Sequence, residues 1–123
     1  MKKLFSHLLS LFGASAVKKP RAYRRVNAAQ AAEMMQVAQE YIILDVRRRD
    51  EYAAGHIKGA INLPNEDIGT AEIPLLPQKD QLIFVHCQSG RRSRMAAEKL
   101  AALGYTDIVD FGGIFAWKDG LVT

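Results

Sequence analysis

The sequence contains a single cysteine, Cys87, among its 123 residues. One thiol cannot form an internal disulfide. With only His7, His56 and His86 beside it, the chain also lacks the CxxC or HxxxH spacing of a metal site. Disulfide scaffolds and zinc modules are therefore excluded, and we expect neither a metal nor another cofactor. Any thiol chemistry must use Cys87.

Long apolar runs are also missing, since no stretch approaches the roughly 18 apolar residues that a membrane-spanning helix needs. The hydrophobic fraction of 49% is nevertheless too high for an intrinsically disordered chain. A length of 123 residues fits one compact domain and leaves no room for two.

Acidic residues are absent from the first 25 positions, which carry seven basic residues and a charge of +7. The rest of the chain has ten basic and thirteen acidic residues, so its charge is −3 and the total is +4. A pI near 9.4 is typical of nucleic-acid-binding proteins. A basic leader on an acidic domain argues against a basic groove, so we expect no nucleic-acid partner.

This leader occupies residues 1–22 and the domain residues 23–123. The leader has a basic start, an apolar stretch over residues 4–12, and an Ala14-Ser15-Ala16 end that resembles a signal-peptidase site. In one interpretation it is cleaved after Ala16 and the protein is exported to the periplasm or another extracytoplasmic space. In the other, its leucines form an uncleaved amphipathic arm, and the protein is cytoplasmic with contact to a membrane surface.

From residue 23 onward, strand signals alternate with helix signals, which predicts a single-domain α/β fold with a parallel sheet. Asn27 and Gln30 have the spacing of a capping box at a helix start, and Gly112-Gly113 is predicted to be a turn. The five predicted strands are Tyr23–Val26, Tyr41–Val46, Ala60–Leu63, Leu82–His86 and Asp107–Asp110.

The chemistry is expected at Cys87, which directly follows a predicted buried strand. Ligands of open α/β sheets bind at the carboxyl ends of strands. The loop Cys87-Gln88-Ser89-Gly90-Arg91-Arg92 then leads into a helix, so its backbone N–H groups can bind an anion at the positive end of the helix dipole. A thiol there should ionise more readily than a free cysteine, which makes Cys87 the candidate nucleophile rather than an inert core residue.

Other polar residues have simpler structural interpretations. Adjacent strand residues point to opposite faces, so we expect His86 to be packed and hydrogen-bonded rather than paired with the thiol. His56 is likewise predicted to be structural. The run Arg47-Arg48-Arg49 is expected to be a solvated face with one member paired locally.

The length of the loop bears on the reaction. Cysteine phosphatases place an arginine six positions after the cysteine, where its fork clamps a phosphoryl group. In this chain that position is Ser93, and the arginine is Arg92, so the loop is one residue shorter. A sulfane sulfur suits the tighter loop better, and thiolate attack on sulfur follows the chemistry of thiol–disulfide exchange.

Three stretches together resemble the single-domain rhodaneses, the thiosulfate sulfurtransferase family, over roughly residues 23–120. They are Leu44–Arg47 with Glu51–Pro64, Val85–Ser93, and Gly112–Trp117. The resemblance implies an open five-stranded parallel sheet flanked by helices. It places the catalytic cysteine at Cys87 and the active-site loop at Cys87–Arg92, and it makes Asp45 and His56 structural.

The activity implied is transfer of a sulfane sulfur through a persulfide on Cys87. The donor would be a small sulfur-containing anion such as thiosulfate, or a persulfide, and the acceptor cyanide, a thiol or a protein. Alternatives are a non-catalytic binding or persulfide-carrier module, and a cysteine phosphatase or arsenate-reductase-like enzyme. The residues expected to bind the substrate are Gln88, Ser89, Gly90, Arg91, Arg92 and Ser93.

Overall fold

A computed structural model of the chain describes residues 23–123. The leader over residues 1–22, with its predicted cleavage site or amphipathic arm, lies outside the described residues. Within residues 23–123, no helix has both the length and the apolar character needed to cross a membrane.

In the part of the chain that the structure describes, five parallel strands form one sheet in the spatial order β1-β5-β4-β2-β3. This confirms the predicted α/β class, and each of the five predicted strands is present. The strands are β1 (Arg24–Arg25), β2 (Ile42–Asp45), β3 (Ile61–Asn62), β4 (Ile83–Cys87) and β5 (Ile108–Gly113). The helices are α1 (Ala28–Val37), α2 (Arg49–Ala54) and α3 (Arg91–Ala102), with 3-10 turns at Asn65–Asp67 and Ile114–Ala116.

Helix α1 begins where the capping box predicts. The side chain of Asn27 accepts a hydrogen bond from the Gln30 backbone N–H at 2.8 Å, and the Gln30 side chain accepts one from the Asn27 N–H at 2.9 Å. These bonds satisfy donors that a helix start otherwise leaves unpaired. The residue pattern is thus sufficient to fix this helix start.

The core has two layers because both faces of the parallel sheet are covered. Side chains alternate along β4, so that Val85 and Cys87 belong to the cluster that includes residues of α3, whereas Phe84 belongs to the cluster with residues of α1. Cys87 and its neighbour His86 therefore point to opposite faces. This is the arrangement expected from the sequence.

The predicted turn at Gly112-Gly113 is wrong, because both glycines belong to β5. The register between β4 and β5 shifts after Val85, so that His86 pairs with Gly112 and Cys87 with Gly113. Such irregularities occur often beside active sites, where they redirect the chain. Here the shift brings the two glycines beside the end of β4.

Candidate active site

Cys87 is the last residue of β4 and is fully buried. Its Sγ accepts a hydrogen bond from the backbone N–H of Gly90 at 2.9 Å. Gly90 has a φ of +105°, in the left-handed region that side-chain-bearing residues rarely adopt. Glycine at this position therefore allows the chain to curl around the sulfur and direct an N–H toward it.

The remaining loop residues differ in exposure. Ser89 and Arg91 are exposed and Gln88 is half-buried. Ser93 is fully buried, and its hydroxyl donates to the Gly90 carbonyl at 3.1 Å, so its proton is directed at the loop backbone rather than at the sulfur. Arg91 has no ion-pair partner among residues 23–123 and is a free cation at the rim of the loop.

The loop rests on the end of β5. A Cβ atom added to Gly113 would lie 3.1 Å from the Cα of Ser89, closer than side chains are normally found. Gly113 thus allows the loop backbone to lie against β5. Its role was missed in the sequence, where a glycine pair indicates only a turn.

Arg92 is not free for a ligand, because its guanidinium is paired with Glu51 of α2. The distances are 2.7 Å from Nη1 to Oε1 and 3.0 Å from Nη2 to Oε2. These bonds hold the pKa of Glu51 at about 2 and raise that of Arg92. Glu51 was also missed in the sequence, since no local pattern joins residues 41 positions apart.

A buried ion pair lies behind the loop. Arg47 donates to Asp45 from Nη2 to Oδ2 at 2.8 Å and to the Gly55 carbonyl at 2.7 Å, and its Nη1 lies 3.5 Å from Oε1 of Gln88. The expectation that residues 47–49 form a solvated face with one paired member holds for the exposure of Arg48 and Arg49 but is wrong for Arg47, which is buried, and for the number of paired members. Arg47 is only 4% exposed and forms an ion pair with the buried Asp45 carboxylate. Arg48 and Arg49 also form ion pairs, with Asp50 and Asp67 respectively.

The two histidines of the domain have structural contacts. His86 is buried, its Nδ1 lies 3.2 Å from the Cys87 carbonyl oxygen, and its ring lies against Phe111 at a centroid distance of 5.2 Å. Burial lowers the pKa of His86 and outweighs the attraction of Asp45. His56 contacts the Tyr52 carbonyl at 2.9 Å through Nδ1 and stacks on the Tyr52 ring. Neither histidine is oriented to serve the thiol.

Fold and candidate site together define an open parallel α/β protein with a cysteine-containing loop between a central strand and a helix. The rhodanese-like domain model matches residues 27–120 of the chain. The chain therefore belongs to the rhodanese-like domain family.

Relatives of known name agree with this assignment. The chain is 35% identical over 71 residues to thiosulfate sulfurtransferase PspE of Escherichia coli, covering 58% of this chain and 68% of that protein. It is 33% identical over 98 residues to thiosulfate sulfurtransferase GlpE of Pseudoalteromonas translucida, covering 79% and 90%. A solved E. coli rhodanese with anions is 33% identical, with a TM-score of 0.58 over 62% of this chain and 89% of that one. These likenesses support sulfurtransferase chemistry in general.

Proposed function

We propose that the protein is a sulfurtransferase that moves a sulfane sulfur from thiosulfate or a persulfide donor to a thiol, protein or cyanide acceptor. The observation that carries the proposal is the Gly90 N–H directed at Cys87 Sγ at 2.9 Å. The thiolate is the nucleophilic form of a cysteine, and this N–H can donate to the attacking sulfur. It is also placed to stabilise negative charge on a persulfide.

The reaction would proceed by two displacements at sulfur. In the first, the Cys87 thiolate attacks the outer sulfur of thiosulfate, an S–S bond forms, and the donor S–S bond breaks with its electron pair leaving on sulfite. In the second, a cyanide or thiolate acceptor attacks the outer sulfur of the persulfide, and the electron pair of the breaking S–S bond returns to Cys87. Both steps follow thiol–disulfide exchange, and neither needs a further oxidant or reductant.

An anionic donor fits the charges at the loop. Arg91 is exposed and unpaired within residues 23–123, so it can attract an anion to the rim. The E. coli rhodanese that holds anions provides a precedent for such a ligand in a related protein. With one cysteine in the chain, the persulfide cannot be discharged into an internal disulfide and must await an external acceptor.

Intact-mass measurement after incubation with thiosulfate tests the proposal. We expect a gain of one sulfur atom, which cyanide removes as thiocyanate and which Cys87→Ser abolishes. The absence of an adduct with thiosulfate and with several persulfide donors would overturn the proposal. Cys87-dependent turnover of an aryl phosphate in its place would indicate the phosphatase alternative.

A further inference from the structure

The loop contains two adjacent arginines, and they have different surroundings. Arg91 is exposed, whereas the Arg92 side chain is 25% exposed and paired with a Glu51 side chain that is 16% exposed. We propose that Glu51 and Arg92 form an ion pair, here called the clasp, that positions the active-site loop. Of the two adjacent arginines, only Arg91 then recruits the anionic donor. This inference rests on the proposed function for its kinetic readout.

The geometry of the clasp is that of a specific, bidentate contact. Both oxygens of Glu51 accept from Arg92, and Oε1 also accepts from the Arg48 backbone N–H at 2.9 Å. A two-point contact between a planar guanidinium and a carboxylate fixes direction as well as distance. The Glu51 carboxylate is in turn fixed at the start of α2, so Arg92 is held against an ordered backbone.

The clasp lies next to the hydrogen bond between the Gly90 N–H and the Cys87 sulfur. Arg92 is the second residue of α3, two positions after Gly90, whose N–H donates to Cys87 Sγ. None of the six residues of α2 is buried, so apolar packing contributes little to joining α2 to the loop. Holding Arg92 therefore helps to keep the Gly90 N–H aligned with the sulfur.

The clasp also determines which arginine of the loop remains as an uncompensated positive charge for an anionic donor. The Glu51 carboxylate, whose pKa is about 2, is ionised throughout the neutral range and offsets the charge of Arg92. Arg47 is offset in the same way by Asp45. The uncompensated cation of the loop is therefore Arg91.

Steady-state kinetics of four variants with thiosulfate test this division of roles. We expect Arg91→Ala to raise KM about fivefold with little change in kcat, since it removes one screened charge at the rim. We expect Glu51→Ala and Arg92→Ala each to lower kcat about tenfold, and the double variant, which removes both charges of the pair, to do so with little change in KM. The double variant should be no worse than the worse single variant, because both remove the same contact.

Matched variants control for charge and for folding. Arg94→Ala removes an exposed arginine of α3 and should leave both constants unchanged. Glu51→Gln keeps an acceptor oxygen without the charge, so it should lose less kcat than Glu51→Ala if positioning is the role. The melting temperature of each variant shows whether the domain remains folded.

A second measurement does not depend on sulfur transfer. The rates at which iodoacetate and iodoacetamide alkylate Cys87 compare an anionic with a neutral reagent of similar size. Arg91→Ala should lower the iodoacetate-to-iodoacetamide ratio about fivefold, whereas the double Glu51→Ala/Arg92→Ala variant, which removes both charges of the pair, should leave the ratio unchanged. If no sulfur donor reacts but this pattern holds, the proposed function fails while the division of roles stands.

A different pattern would overturn the clasp. If Arg92 binds the donor, the double Glu51→Ala/Arg92→Ala variant will raise KM and lower the alkylation ratio as Arg91→Ala does. Additive losses in the double variant would also contradict a shared contact.

Discussion

Gly113 lies against the carbonyl oxygen of Gln88 so closely that a Cβ atom on Gly113 would be 2.5 Å from that oxygen. Gly113 is the last residue of β5 and pairs with Cys87, so the end of one strand supports the loop that begins at the end of the next. Backbone atoms cannot move aside as a flexible side chain would. The position of the loop above Cys87 therefore depends on the absence of a side chain at residue 113.

Gly113→Ala is expected to displace the loop and to lower the rate of sulfur transfer about a hundredfold, the effect typical of a misplacement near 1 Å. The reason is that the new methyl group pushes the Gln88 peptide and thereby shifts the Gly90 N–H from the sulfur. Thiosulfate-to-cyanide transfer measures the loss. A fully active Gly113→Ala protein would contradict this account of the loop.

Gly69→Ala is the matched control for that prediction. Gly69 is exposed, has no atom within 4 Å of the position of an added Cβ, and does not need a left-handed backbone. We expect its activity and melting temperature to equal those of the unsubstituted protein. Any loss shared by both variants would indicate a general effect of glycine replacement.

Most of the fold could be predicted because its signals are local. The run from Ile42 to Asp45 is nearly continuous in apolar residues, as a central parallel strand requires, and the Asn27–Gln30 pair marks a helix start. Cys87 could be singled out as the candidate nucleophile because a lone thiol between a buried strand and a glycine-containing loop lies where a nucleophile is expected in an open α/β sheet. Each of these inferences uses residues within a few positions of one another.

The rest of the site depends on contacts between distant segments. Glu51 reaches Arg92 across 41 positions, and Gly113 meets Gln88 only because the register of β5 shifts beside His86. Three consecutive arginines indicate a solvated face, yet the Arg47 side chain is buried because it pairs with the buried carboxylate of Asp45. Such pairings follow from strand order and register, which residue patterns do not specify.

The buried pair of Asp45 and Arg47 is expected to be important for stability. Asp45→Asn leaves the Arg47 guanidinium buried without a counter-charge, which typically costs about 3–5 kcal/mol. Denaturant unfolding measures the change in the free energy of unfolding. A loss below about 1 kcal/mol would show that water reaches Arg47 when its partner is removed.

Arg48→Ala provides the comparison, because it removes an ion pair of the same chemistry one position along the chain. Both Arg48 and Asp50 are well exposed, with side-chain exposures of 60% and 72%. Exposed pairs are screened by water and contribute little. We expect the unfolding curve of this variant to overlay that of the unsubstituted protein.

His86 is expected to remain neutral at a pH where a free histidine is half protonated. Burial lowers its pKa from 6.5, and the opposing attraction of Asp45 is weaker. Imidazole resonances followed by NMR against pH should show a midpoint below 6.5 for His86, with the resonance identified by its loss in His86→Asn. A midpoint at or above that value would indicate that the ring is protonated toward Asp45.

The stability of the domain should fall with acid through the Glu51–Arg92 contact. The pKa of Glu51 is about 2 in the folded protein and 4.5 in the unfolded chain, where the contact with Arg92 is lost. The contact therefore stabilises the fold fully above pH 4.5. Between 4.5 and about 2 the unfolded chain binds a proton that the folded chain does not, and the stabilisation is progressively lost. The contribution at neutral pH should be about 1–2 kcal/mol, between those of exposed and buried pairs.

Glu51→Gln isolates this contribution from the other groups that titrate in acid, His86 among them. The difference in free energy of unfolding between the unsubstituted protein and this variant should be constant from about pH 7 to pH 5 and should shrink toward zero below 4.5. Subtracting the variant cancels the destabilisation that begins near 6.5, where unfolded His86 gains a proton while buried His86 does not. A difference that stays constant down to about pH 2 would mean that folding does not lower the pKa of Glu51, and the clasp would lose its electrostatic basis.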